Sequence, residues 1–79
     1  MFLEIVTPEE TLYSKEVRYV KVPGSQGQFG ILKDHAPIIS TLEKGEIKVV
    51  EPDDDEITFE VKGGVIEILK NNIIILLKL

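Results

Sequence analysis

Seventy-nine residues with no cysteine, nine basic and fourteen acidic side chains, and a net charge of −5 fit one small domain spanning residues 1–79. They exclude a disulfide framework, a cysteine-based zinc site and a thiol nucleophile, and the acidic balance argues against nucleic acid and anionic lipid headgroups as partners. The longest apolar run, Ile73 to Leu77, is far short of the ~20 residues of a spanning helix. Met1-Phe2-Leu3-Glu4 has neither a basic lead nor an apolar stretch, so no export leader and no direct membrane insertion are expected.

Nineteen residues are Ile or Val and only Ala36 is alanine, a balance that favours pleated sheet over helix. Phe2 to Val6 reads as a strand stopped by Thr7-Pro8-Glu9-Glu10, followed by a short strand at Thr11 to Tyr13. Glu16 to Val22 is a third strand cut by Pro23-Gly24, and the three glycines within Gly24 to Gly30 predict a turn region. Ile31-Leu32 and Ile38 to Leu42 flank the polar segment Lys33 to Pro37, and Lys44-Gly45 is a further turn signal. Gly45 to Val50 leads into the acidic stretch Glu51 to Asp55. In Glu56 to Lys62, Ile57, Phe59 and Val61 alternate with Thr58, Glu60 and Lys62, the pattern of a strand with one wet face. Gly63-Gly64 reads as a bend, Val65 to Leu69 as a strand, Lys70-Asn71-Asn72 as a tight turn, and Ile73 to Leu79 as the last strand. Apolar residues on both sides of that last strand predict cover on both faces, in a sandwich or flattened barrel. No segment carries a helical period.

Three constellations offer chemistry, and each has a plainer reading. Asp53 and Asp55 in the acidic stretch suit a hard cation, but the spacing lacks the glycine and closing glutamate of a calcium loop, so a solvated hairpin tip is expected. His35 is the sole histidine and has no evident nucleophile or second ligand, which leaves it as a loop or interface residue. The Gly24, Gly27, Gly30 spacing lacks the Lys-Ser/Thr and the following helix of a phosphate loop and reads as turn chemistry. No catalytic residue, cofactor, metal or small-molecule substrate is expected.

Five blocks in order resemble the epsilon-subunit family of the rotary F-type ATP synthases. They are Leu3 to Glu9, Val22 to Leu32, His35-Ala36-Pro37, Lys44-Gly45 and Gly63 to Ile68, and Pro23 to Pro37 is the specific part. The resemblance implies an all-β flattened sandwich or barrel of about ten short, mainly antiparallel strands. It also implies a non-catalytic role in the central stalk, docking on the gamma subunit and the c-ring to couple proton flow to ATP synthesis. The expected location is peripheral, on the cytoplasmic face of the bacterial inner membrane or its organelle equivalent. The ring-facing loop of the family corresponds to Gly27 to Lys33, which nominates Gln28, Phe29 and Ile31 for the c-ring. The gamma-facing segment corresponds to His35 to Leu42, which nominates His35, Ile38, Ser40 and Thr41. Gln28 stands where some relatives carry an acid, implying a neutral hydrogen bond to the ring rather than a charge-assisted one. Many relatives continue into a two-helix hairpin that inhibits ATP hydrolysis; this sequence stops at Leu79, so a short form without that hairpin is expected.

Among the apolar side chains of the gamma-facing segment, two of Ile38, Ile39 and Leu42 are expected to fill the core, and Phe29 is expected to stand out as an exposed anchor. Two other classes compete with this reading. A lipoyl- or biotinyl-type carrier would present a lysine at a hairpin tip, but Lys70 lacks the usual neighbours of a modified lysine. A small barrel enzyme would need a nucleophile–base pair that the sequence does not contain.

Overall fold

The computed structural model describes residues 1–78, and every regular element in it is a strand. In chain order these are β1 (Phe2–Val6), β2 (Thr11–Glu16), β3 (Tyr19–Gly24), β4 (Gly27–Ile31), β5 (Ile38–Val50), β6 (Glu56–Leu69) and β7 (Asn72–Leu77). They form one mixed sheet in the order β2-β1-β7-β6-β5-β3-β4, antiparallel except where β1 runs parallel to β7.

Seven continuous strands replace the expected ten. The reason lies in β5 and β6, of 13 and 14 residues, which run through the positions read as breaks. Their register is unchanged from Ile38↔Ile68 to Val50↔Glu56, so Lys44-Gly45 and Gly63-Gly64 do not end the strands, although the ladder skips Lys44 and Lys62. Gly63 absorbs the change of direction with a φ of +141°, which side-chain-bearing residues rarely adopt. The first half of β5 and the second half of β6 join β7, β1 and β2, whereas the second half of β5 joins β3 and β4. The sheet thereby folds over itself into two layers.

The Gly24 to Gly30 region is likewise strand rather than turn. Gly24 pairs with Gly27, leaving only Ser25-Gln26 as the loop between β3 and β4. Pro23 lies inside β3 at a point where the pairing with β5 shifts register, the place in a sheet where a missing N–H costs least. The last strand ends at Leu77, and Leu79 lies outside the described residues.

Between the layers sits a core of Leu3, Ile5, Val20, Val22, Ile31, Ile47, Val49, Ile66, Ile73 and Ile75, all within 1% of complete burial. The shortest dimension, 18 Å, accommodates two sheets packed about 10 Å apart with their outer side chains. Tyr13 of β2 closes one side by meeting the Phe59 ring edge-on at 5.8 Å. The expected cover on both faces of β7 is not supplied by the described residues. Ile73, Ile75 and Leu77 point inward, but Ile74 and Leu76 remain 42% and 45% exposed.

Candidate functional site

The tip of the β3–β4 hairpin leans on the start of β5. Ser25 N donates to Thr41 O at 3.0 Å, and the hydroxyls of Ser25 and Thr41 are 2.8 Å apart. These bonds hold open a cleft of about 410 Å³ between the hairpin and β5. Five of the seven nominated residues, Gln28, Phe29, Ile38, Ser40 and Thr41, line it. The two nominated sets, separate in sequence, thus share one concavity because a two-residue turn folds β4 back along β3 and its tip is bonded to Thr41 of β5.

The remaining nominees fall elsewhere. Ile31 is completely buried, so its side chain is a core residue and cannot meet a partner; its alternation with exposed Gly30 and Leu32 points it between the layers. His35 lies in the connection between β4 and β5, half-buried, with Nδ1 2.8 Å from Ala36 O and its backbone N donating to Leu32 O. Phe29 is not the free-standing anchor expected. It is half-buried against the core and lies over Gly24, whose missing side chain makes room for the ring. Ile38 packs on the core and Leu42 is buried, as expected of two of the three, while Ile39 is 72% exposed, the most open large apolar side chain among the described residues.

Sequence reasoning missed a second feature. On the outer face, Thr41 pairs with Val65 and Val65 with Leu76, while Glu67 lies between Ile39 and Ile74. Val65, Leu69, Ile74 and Leu76 are all more than two-fifths exposed, so an apolar strip crosses β6 and β7 and meets the cleft at Ile39. The signal for it was the unbroken apolar run Ile73 to Leu77, in which alternate residues must face outward if the strand is covered on one side only.

The acidic stretch is a tight hairpin tip, as expected, closed by Glu51 N to Asp55 O and Asp54 N to Glu51 O. Carboxylate oxygens of Glu51, Asp53 and Asp55 gather within 4.8 Å. Glu51 is already engaged: the Tyr13 hydroxyl donates to it at 2.5 Å and Lys15 Nζ lies 3.6 Å away. Arg18 pairs with Asp54. Bonds from Tyr13, Lys15 and Arg18 to Glu51 and Asp54 brace β2 and the segment after it against the β5–β6 turn.

Residues 1–78 match the family model of the ATP synthase delta/epsilon chain β-sandwich domain. Relatives include ATP synthase epsilon chain 2 of Ralstonia nicotianae, 39% identical over 74 residues that are 94% of this chain and 53% of that one. The epsilon chain of Campylobacter hominis is 40% identical over 77 residues, 96% of this chain and 59% of that one. That of Chlorobaculum tepidum is 39% identical over 74 residues, 94% and 84%. The chain therefore spans just over half the length of several curated relatives and most of another. Among solved structures, a chain of the Euglena gracilis mitochondrial ATP synthase (OSCP/F1/c-ring) superposes with a TM-score of 0.90 at 18% identity, covering 95% of this chain and 48% of that one. A chain of the Tetrahymena thermophila central stalk and c-ring gives 0.79 at 16%, covering 96% and 61%. These two likenesses establish the sandwich fold. Nothing in these matches favours a lipoyl or biotinyl carrier.

Proposed function

The chain belongs to the ATP synthase delta/epsilon family, as its β-sandwich domain, and we propose that it serves as a non-catalytic central-stalk subunit of an F-type ATP synthase. In this reading residues 1–79 act as one domain that docks on gamma and on the polar loops of the c-ring, coupling proton flow to ATP synthesis. The complex puts it at the membrane surface without insertion, on the cytoplasmic face in bacteria. The observation that carries the reading is the shared cleft, where Gln28 and Phe29 of the ring-facing set adjoin Ile38, Ser40 and Thr41 of the gamma-facing set.

A part that transmits torque must not shear. The two long strands β5 and β6, paired at twelve positions in one register with a single gap at Lys44, form a stiff spine from one layer to the other. Partner surfaces combine an apolar centre with a polar rim, and Ile39 with the Val65–Leu76 strip supports that pattern beside Gln28, Ser40 and Thr41. Gln28 is exposed and offers an amide donor and acceptor to the ring.

Calorimetry of this chain with purified gamma subunit tests the proposal. Stoichiometric binding with Kd of about 1 μM or tighter, corresponding to roughly −8 kcal/mol, is expected. His35→Ala should weaken it by about fivefold to tenfold. Absence of binding at micromolar concentrations would sink the stalk reading; tight binding indifferent to His35→Ala would remove that residue from the interface.

A further inference from the structure

The connection between β4 and β5, Leu32 to Pro37, carries His35 and the exposed Leu32, yet little holds it in place. Among the described residues, the hydrogen bonds linking it to another element both go to Asn71, 37 positions along the chain. Asn71 Oδ1 accepts the Asp34 backbone N–H at 2.7 Å, and Asn71 Nδ2 donates to Asp34 Oδ1 at 3.0 Å. The pair is reciprocal: each residue gives one donor and one acceptor.

Both residues are in the left-handed region, Asp34 at φ 65° and Asn71 at φ 62°. That conformation is unfavourable for most side chains and tolerated best by Asn and Asp. At Asn71 the turn demands it, since Lys70 and Asn71 are the two-residue loop of the β6–β7 hairpin and both have positive φ, as a type I′ turn requires. The turn is also tied to β1, through Phe2 N to Asn71 O at 2.8 Å. Asn71 is thus a fixed post on the sheet. At Asp34 the conformation belongs to the turn Leu32 to His35, closed by His35 N donating to Leu32 O at 3.2 Å, and the grip of Asn71 on the Asp34 backbone N–H and carboxylate anchors that turn to the sheet. The chain direction entering His35 follows from it.

We propose that Asn71 is a positioning residue: its reciprocal clasp on Asp34 presets the β4–β5 connection, and with it His35, for docking on gamma. This rests on the stalk reading above. A preset loop binds without first losing backbone freedom, so releasing it should lower affinity without touching any residue that meets the partner.

The variant Asn71→Gly tests it, because glycine accepts positive φ and suits this turn position, so the hairpin is kept while the clasp is removed. Expected are an unchanged or higher Tm, faster amide exchange at Asp34 by NMR, and affinity for purified gamma about threefold to tenfold weaker. The exchanged pair Asp34→Asn with Asn71→Asp rebuilds the clasp with roles reversed and should restore both slow exchange and affinity. Unchanged exchange at Asp34 in Asn71→Gly would overturn the clasp itself. Faster exchange with unaltered gamma affinity, or no rescue by the exchanged pair, would overturn the positioning role. If the unaltered chain shows slow Asp34 exchange but does not bind gamma, the stalk reading fails and the positioning role falls with it, the clasp remaining as a local feature.

Discussion

Tyr13 concentrates several effects in one side chain. It is buried, its ring meets Phe59, and its hydroxyl donates to Glu51 across 38 positions of sequence. Burial first, then the hydrogen bond to Glu51, then the negative charges of Glu51 and Asp53 push the phenol well above its ordinary value of 10.0. The folded chain therefore keeps a proton that the unfolded chain releases once the pH passes about 10. The stability linked to that proton is complete below this pH and declines as the pH rises toward the folded-state value. Tyr13→Phe should cost about 1–2 kcal/mol at pH 7, where the hydrogen bond is lost. It should also flatten the alkaline decline, which urea titrations at neutral pH and above pH 10 would measure. An alkaline slope identical in both proteins would assign the loss to other groups.

The elements owe their limits to backbone chemistry more than to hydrophobic pattern. β6 alternates inward and outward residues on either side of Gly63-Gly64, where the alternation changes phase, and its passage through that pair depends on two different properties of glycine. Gly63 supplies a positive φ, while any side chain at Gly64 would collide with the Leu76 carbonyl of β7. At the other end of this strand the β6–β7 turn places Lys70, a residue with no special tolerance for it, at φ 51°. Lys70→Asn relieves that mismatch and should stabilise the domain by about 0.5 kcal/mol. For a chain of this size that raises Tm by roughly 2–4 °C, readable in a thermal melt. A fall in Tm would mean that the Lys70 side chain contributes something its exposed position does not reveal.

At the scale of the molecule, one layer is thin enough that single core residues matter. Ile75 is fully buried on β7, flanked by β1 on one side and β6 on the other, and so helps join the first strand to the rest of the sheet. Truncation of such a residue to alanine costs about 2–5 kcal/mol. A domain of this length has roughly 3–5 kcal/mol in hand. Ile75→Ala is therefore expected to be largely unfolded at 37 °C by circular dichroism, and full retention of sheet signal would show that the core repacks around the void. Among the described residues nothing covers the outer apolar strip of β6 and β7, a contiguous apolar surface of the kind that marks an interaction site.

The all-β class, the alternation of β6 and the hairpin at Glu51 to Asp55 were legible in the residues because each depends on neighbours within a few positions. The family was legible too, through motifs whose order survives in a single chain. Strand continuity was not: a glycine pair reads as a break unless the partner strand is known to bend with it, and that knowledge is long-range. Nor was the fate of the nominated residues, since Ile31 and Phe29 differ in burial only because the two layers close over one and half-cover the other. The sequence by itself determined the all-β class and the turns at Thr7 to Glu10, Glu51 to Asp55 and Lys70-Asn71, because those choices are made by local backbone preference and side-chain period. Only the tertiary structure decided that the hairpin tip and β5 share a cleft, that one face of β7 stays open, and that Asn71 holds Asp34. Each of these joins parts of the chain far apart in sequence, where pairing and packing, not local preference, set the distance.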